Sequence, residues 1–505
     1  MTSRATVVLR NCATYDVDRI EELAGEALDL FDIRPFGKTL IKPNVVMSGE
    51  KFPHSHTRVE FVEGVVRALQ QRDDDVTEMA VGERCGISIP TRYAFKGAGF
   101  NEMFERTGVE HYHFEEETQV EIPLRHPGRL RDRIYVPEPV ANADFFVNVP
   151  KFKAHPWTTV TFGMKNYIGI QDDRHRLIDH DHLLNEKVRD LQFVLQPQFC
   201  AIDAIIAGEG RMLTPLPFDM GLAIFGNDQL AFDAVCCHIV GIDPLSVDHL
   251  RLAHEAGFGT VDLQEIDIVG DLTLAEAQQR AEGFRVGLIR IEDYFADSKI
   301  NAYAGPPPSA DSVDATTTDV DDPEYCWGGC PGAMQEAIEL IRLFDDETDA
   351  KMPITHIVFG AYDGDIDANE GERVVFIGDC TSFAGEVAGQ KVDIRSVYQH
   401  RRNTEPLDAQ HTDMFARMAK TNVKFLKERN EQVIELRGCP VSVAEQLLAL
   451  VSLGGLKNPF LDPAEATRFG SSYLSWRTQT AIKRLRREPY VRAGEAPRGE
   501  AATAL

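Results

Sequence analysis

The segments TLIKPNVV (39–46), HTRVEFVEGVVRALQQR (56–72) and MAVGE (79–83) read in order as strand, helix, strand. Each outer run is short and apolar and ends in a polar residue: Lys42 and Asn44 in the first, Glu83 in the second. Between them Val59, Val62, Val65, Val66 and Leu69 recur at helical spacing and predict one apolar stripe. Upstream, RATVVLRNC (4–12) is a further strand. VDRIEELAGEALDLF (17–31) is a further helix, with Ile20, Leu23, Ala27, Leu28 and Phe31 on its buried face. Downstream, ADFFVNVPK (143–151), FCAIDAII (199–206), LAIFGN (222–227) and EIDIVGD (265–271) repeat the pattern of apolar runs with polar ends. Strands alternating with helices predict an α/β domain with a mostly parallel sheet, whose chemistry gathers at the carboxyl ends of the strands.

Residues 305–324, GPPPSADSVDATTTDVDDPE, lack bulky apolar side chains and read as a disordered linker. A second α/β pattern follows: helix 332–344, strands 354–361 and 373–379, helix 413–430, strand 432–438 and helix 442–453. The expected organisation is therefore an α/β domain over 1–304, the linker, a second α/β domain over 325–476, and a disordered tail over 477–505.

Composition narrows the function. The 505 residues carry 53 Lys and Arg against 80 Asp and Glu, a net charge of −27. Such a surface repels phosphate backbones and anionic lipid, which argues against nucleic-acid or membrane-surface binding. No apolar run approaches the roughly 20 residues that span a bilayer. Arg10 and Asn11 interrupt the first apolar stretch, so no signal peptide is expected. Nine cysteines at this length do not suggest a secreted disulfide scaffold, and a cytoplasmic location is expected. Phosphate loops of the G-x-G-x-x-G or G-x-x-x-x-G-K-[ST] type, a G-x-S-x-G elbow and an H-E-x-x-H helix are all missing.

Two constellations remain. In NVPKFKAHPWTTVTFGMKNYIG (148–169), Lys151, Lys153, His155 and Lys165 follow an apolar strand, with Asn166 close behind. Together with Lys42, Asn44 and Glu83 at equivalent strand ends, these cations predict a cleft for a small carboxylate or phosphate. Lys151, Lys153 and Lys165 are expected to converge there, and His155 or Glu83 to move a proton. HSHTR (54–58) and DDRHRLIDHDH (172–182) are the richest His/Asp segments and could hold a divalent metal. Cys236, Cys237 and His238 fall on a helical run and are expected in the core.

The second constellation is Cys326 and Cys330 in YCWGGCPG, Cys380 in FIGDCTSFAG and Cys439 in LRGCPVSV. Each is expected in a glycine-bearing turn, and a doubly wound sheet would bring the loops to one end. Four thiolates there could bind a [4Fe–4S] cluster or, less readily, zinc.

Residues 5–271 resemble the family called domain of unknown function 362. The resemblance rests on IKPN (41–44), VGE (81–83), NVPKFKAH (148–155), GMKNYIG (163–169), AIDAIIAGEG (201–210) and D-x-x-A-F-D-A-V (228–235). It implies an α/β domain often associated with iron–sulfur centres. It also implies site positions at Lys42, Asn44, Glu83, Lys151, Lys153, His155, Lys165, Asn166, Asp203 and Asp233. The order C-x-x-x-C, G-x-C, G-C-P is similar to the proximal-cluster loops of the nickel–iron hydrogenase small subunit and the related complex I quinone-reductase subunit. That similarity implies that Cys326, Cys330, Cys380 and Cys439 ligate a cluster in a flavodoxin-like domain.

The expected function is redox chemistry on a small anionic substrate, with electrons passing through the cluster and a protein electron donor as a possible partner. Two alternatives stand beside it. One is a non-redox enzyme (racemase, lyase or transferase) with a structural cluster. The other is a cluster or metal maturation and binding protein.

Overall fold

The computed structural model describes residues 4–87, 89–171, 176–286, 289–307, 325, 328–398, 414–486 and 490–492. Most of the expected linker (308–324) and Cys326 lie outside the described residues. The chain forms two compact units, one of residues 1–173, 185–287 and 468–505, the other of 174–184 and 288–467.

The strands of the first unit are β1 (Thr6–Asn11), β2 (Phe36–Pro43), β3 (Asp75–Glu83), β4 (Glu110–His113), β5 (Gln119–Pro123), β6 (Arg133–Pro137), β7 (Phe145–Val149), β8 (Lys151–His155), β9 (Thr159–Val160), β10 (Phe199–Glu209), β11 (Leu216–Gly226) and β12 (Asp267–Gly270). The main sheet runs β12-β1-β11-β10-β7-β2-β3-β4, with β8 pairing to β10 and β9 to β8. Pairs β1/β12, β7/β10, β2/β7, β2/β3 and β3/β4 are parallel. β11 alone runs against its neighbours β1 and β10 in this order. The connection from β10 to β11 spans only residues 210–215, too short for the crossover a parallel pair needs.

Asp16 caps the helix Val17–Leu30 by accepting from the backbone N–H groups of Asp18 and Arg19, a contribution of about 1 kcal/mol. Ile20, Leu23, Ala27 and Leu28 of that helix pack with Val62, Val65, Val66 and Leu69 of the helix Val59–Gln70 against Ile41, Val81 and Val147 of the sheet. Each such Ile, Leu or Val side chain, fully buried, stabilises the fold by roughly 1.5–3 kcal/mol. Cys236 and Cys237 are buried in the helix Gln229–Ile239, as expected, whereas His238 on the same helix is only half-buried.

In the second unit β13 (Ile300–Ala304), β14 (Thr355–Ala361), β15 (Arg373–Val387) and β17 (Val433–Leu436) form a parallel sheet in that order. β16 (Gln390–Ile394) runs antiparallel to the far half of β15. Ser442 opens the helix Val443–Gly454 with a reciprocal cap to Glu445.

The unit borders differ from the expected ones. β13 was expected in the first domain, yet its register with β14 commits it to the second unit. The expected disordered tail is partly regular: the helix Pro463–Arg486 covers 477–486, and β18 (Tyr490–Arg492) pairs in parallel with β5. Among the described residues no helix is long and apolar enough to cross a membrane.

Candidate functional site

Among the described residues, two hydrogen-bonded groups gather most of the first unit's candidate residues. The first begins at the carboxyl ends of β2 and β3. Lys42 Nζ donates to Glu83 at 2.8–3.0 Å and to Asn166 Oδ1 at 2.9 Å, with Lys42 0% and Glu83 2% exposed. Glu83 also accepts from the backbone N–H of Val45 and of Arg84. Asn166 Nδ2 donates to Asn148 Oδ1 (2.8 Å), and Asn148 Nδ2 donates to Gln229 Oε1 (2.7 Å). Gln229 Nε2 in turn donates to Asp233 Oδ1 (3.1 Å). Asp233 accepts from the backbone N–H groups of Gly163 and Met164, each at 2.8 Å. Burial pushes the Asp233 carboxyl up to about 7, against the pull of those donors.

This chain explains the segment GMKNYIG. A Cβ at Gly169 would lie 2.2 Å from Glu83 Oε1 and 2.7 Å from Lys42 Nζ, and one at Gly163 would lie 2.0 Å from Gln229 Nε2. Both glycines let the backbone close onto buried polar groups. Glu83 thus carries Lys42 and two backbone N–H groups on its oxygens. Asn44 joins the group through Nδ2 to Asn166 Oδ1 (3.3 Å).

The second group centres on Lys151. Its Nζ donates to Asp203 Oδ2 (2.8 Å) and to the Tyr15 hydroxyl (3.0 Å), and Tyr15 donates to Asp203 Oδ1 (2.9 Å). The three close a triangle. Lys151 and Asp203 are partners in the register of β8 and β10, so the ion pair is a cross-strand pair. Asp203 also accepts from the backbone N–H of Arg58 (3.0 Å). The Arg58 guanidinium lies 4.9 Å over the Tyr15 ring, and both residues are half-buried. Burial lowers the Lys151 pKa, with Asp203 opposing. Burial, then Lys151, Arg58 and Lys153, holds His56 down to about 3. His54 shifts the same way through burial, Lys151 and Arg58.

Lys151 and Lys153 share a neighbourhood through His56, as alternation along β8 requires, while Phe152 packs on Phe162 and Phe284. Lys153 donates to the carbonyls of Ser55 (2.7 Å) and Met212 (3.0 Å). Burial, and then the Lys165 charge, holds His249 down to about 3. His155 is buried, and its Nδ1 accepts from the Trp157 backbone N–H (3.3 Å). Tyr15, Arg58, Asn148 and Gln229 were not foreseen. Tyr15 sits in the turn before the first helix, where no spacing marks it.

In the second unit, Cys330, Cys380 and Cys439 line one small cavity with Asp181, His182, Tyr398 and glycines 328, 329, 360 and 438. Cys330 starts the helix Gly329–Arg342, and Cys439 follows β17. Cys380 lies inside β15 rather than in a separate turn. There Gly378, at φ +107°, sits where the register with β14 shifts, and its Cα–H side faces the Cys380 and Cys330 sulfurs. The backbone N–H of Val441 donates to Cys330 Sγ (3.3 Å). Cys326 is outside the described residues. Among the described residues no three His, Cys, Asp or Glu side chains close tightly enough to chelate a single metal ion, which corrects the expectation for HSHTR.

Residues 39–238 match the family model described as Domain of unknown function (DUF362), a span that includes every first-unit candidate except Tyr15. The cysteine loops lie outside it. The chain is 21% identical over 243 residues to a thylakoid-associated protein of Synechocystis, covering 45% of this chain and 70% of that protein. It is also similar to the lactate racemase apoprotein from Thermoanaerobacterium thermosaccharolyticum. There the TM-score is 0.32 at 10% identity, over 86% of this chain and 93% of that one.

Proposed function

We propose that the chain is a non-redox enzyme that moves a proton on a small anionic substrate, of the racemase, lyase or transferase kind. The proposal places the reaction at the Lys151–Tyr15–Asp203 triangle. The observation that carries this is the position of Lys151 Nζ, fully buried and shared between a carboxylate at 2.8 Å and a phenol at 3.0 Å. Burial brings the ammonium pKa down toward the range where a lysine can both give and take a proton. Asp203 holds the charged form and orients it. Tyr15 stays protonated, because burial and Asp203 raise its pKa, and it can donate to the developing anion. Arg58 and Lys153 supply the positive field that draws a carboxylate or phosphate to a half-buried rim of Tyr15, His54 and Arg58.

A [4Fe–4S] cluster in the second unit has a structural role in this reading, with Cys326, Cys330, Cys380 and Cys439 as its thiolates. The donor set fits: three thiols from three separate segments, glycine backbones around them, and an N–H already aimed at one sulfur. The thiols share a cavity without closing on one point. A tetrahedral zinc, with Zn–S near about 2.3 Å, draws its ligands closer than a cluster bound through separate irons. Such a cluster supplies electrons when it is redox-active, and the same cysteines favour the second reading, an iron–sulfur oxidoreductase.

Anion binding tests the first reading. Phosphate or small carboxylates should raise the melting temperature of the wild type, as a ligand of the folded state must. Arg58→Ala should lose that shift. Equal shifts in both proteins would remove the anion from this site.

A further inference from the structure

Alternation along β2 and β3 sends Ile41 and Val81 into the helix-covered core and leaves Leu40 and Ala80, register partners, on the opposite face of the sheet. There the two buried side chains line a cavity of about 390 Å³, within the size range of small-molecule sites. Among the described residues it shares no lining side chain with either hydrogen-bonded group described above. Three carboxylates stand in its walls: Glu78, Glu117 and Glu138. Tyr112 donates to Glu78 Oε1 (2.6 Å), and Lys483 of the helix Pro463–Arg486 donates to Glu117 Oε1 (2.5 Å). Burial raises the Glu117 pKa and Lys483 opposes the rise, while Glu116 and Glu138 add to it. The other lining cation, Lys38, is exposed. Among the described residues no three acidic groups close on one point, so a bare metal ion cannot reach all three walls.

Asn142 is an independent sign of a ligand. It lines the same cavity, is 8% exposed, and its Oδ1 has no hydrogen-bond partner among the described residues. A buried amide oxygen left without a donor is costly, and a bound N–H relieves that cost. Lys483 already displays the matching chemistry, an ammonium on an aliphatic stem seated on a wall carboxylate.

We propose that this cavity binds a small aliphatic amine, its methylenes against Leu40 and Ala80 and its ammonium groups shared among Glu78, Glu138 and the Asn142 amide oxygen. The site stands apart from the Lys151 triangle and does not depend on the reaction placed there.

The test titrates the full chain with 1,4-diaminobutane by calorimetry at fixed ionic strength. 1,4-Butanediol is the uncharged probe, and magnesium chloride is the cation that a chain of net charge −27 attracts without a site. Wild type should bind the diamine saturably and ignore the diol. Glu78→Gln, which can still accept from Tyr112, and Asn142→Leu, which removes the amide oxygen, should each weaken binding about tenfold or more. Glu282→Gln, at an exposed carboxylate outside the cavity, should leave it unchanged. If Asn142→Leu does not fold, Glu78→Gln decides alone. No saturable binding to wild type, a diamine response that magnesium reproduces, or equal affinity in wild type and Glu78→Gln overturns the proposal.

Discussion

Lys151 and Asp203 face each other in register across the parallel strands β8 and β10, with Nζ and Oδ2 2.8 Å apart and both side chains withdrawn from solvent. A buried pair of this kind gains little over two apolar residues, because desolvation offsets most of its Coulomb attraction. Such a pair therefore fits a chemical role.

Removing one partner should expose that cost. Lys151→Met leaves Asp203 buried beside Tyr15 without its cation, and stability should fall by about 3–5 kcal/mol. Lys151→Met combined with Asp203→Leu should recover most of the loss. Urea unfolding of the three proteins measures this. A single variant as stable as the wild type would show that the pair is solvated in solution.

Gly169→Ala tests the anchoring role of GMKNYIG. The added methyl meets Glu83 and Lys42 at distances no side chain adopts. The loop should shift at a cost of roughly 1–3 kcal/mol. An unchanged unfolding midpoint would mean that the Lys42–Glu83 pair does not hold this loop.

Acid should destabilise the first unit through its buried histidines. His56 and His249 are both held down to about 3 in the folded chain, from an ordinary value of 6.5. The unfolded chain therefore binds more protons below that ordinary value. Their contribution is complete above about 6.5 and is lost as the pH falls toward 3, on the order of 2 kcal/mol for each by about pH 5. His249→Gln, which keeps a partner for Asn185, should flatten the pH dependence of the urea midpoint across this window. The same slope in both proteins would show that His249 does not titrate with unfolding.

Much of the fold was legible in sequence because the apolar stripes are clean. Ile20, Leu23 and Leu28, and Val62, Val65 and Leu69, are buried where helical spacing puts them. The direction of β11 was not legible, since a strand reads alike either way and only the short link 210–215 decides it. The site was half legible. Lys42, Glu83, Lys151, Asn166 and Asp203 are brought into the two hydrogen-bonded groups, but residue type alone could not divide anchors from working groups. Tyr15 is 188 residues from Asp203 and belongs to no local pattern. Asp181 was read with its neighbouring histidines, because nothing in a linear segment indicates a cysteine 258 residues away.

The most direct test of the proton-transfer reading is hydrogen exchange at carbon. Wild-type protein in deuterium oxide is given small carboxylates with an acidic hydrogen next to the carboxylate, and the carbon-bound signal is followed by nuclear magnetic resonance. At least one should exchange that hydrogen at a rate indifferent to added oxidant or reductant. Tyr15→Phe should slow the exchange by about a hundredfold or more. No exchange with any of them, or exchange that Tyr15→Phe leaves untouched, would contradict the assignment of proton transfer to Lys151, Tyr15 and Asp203.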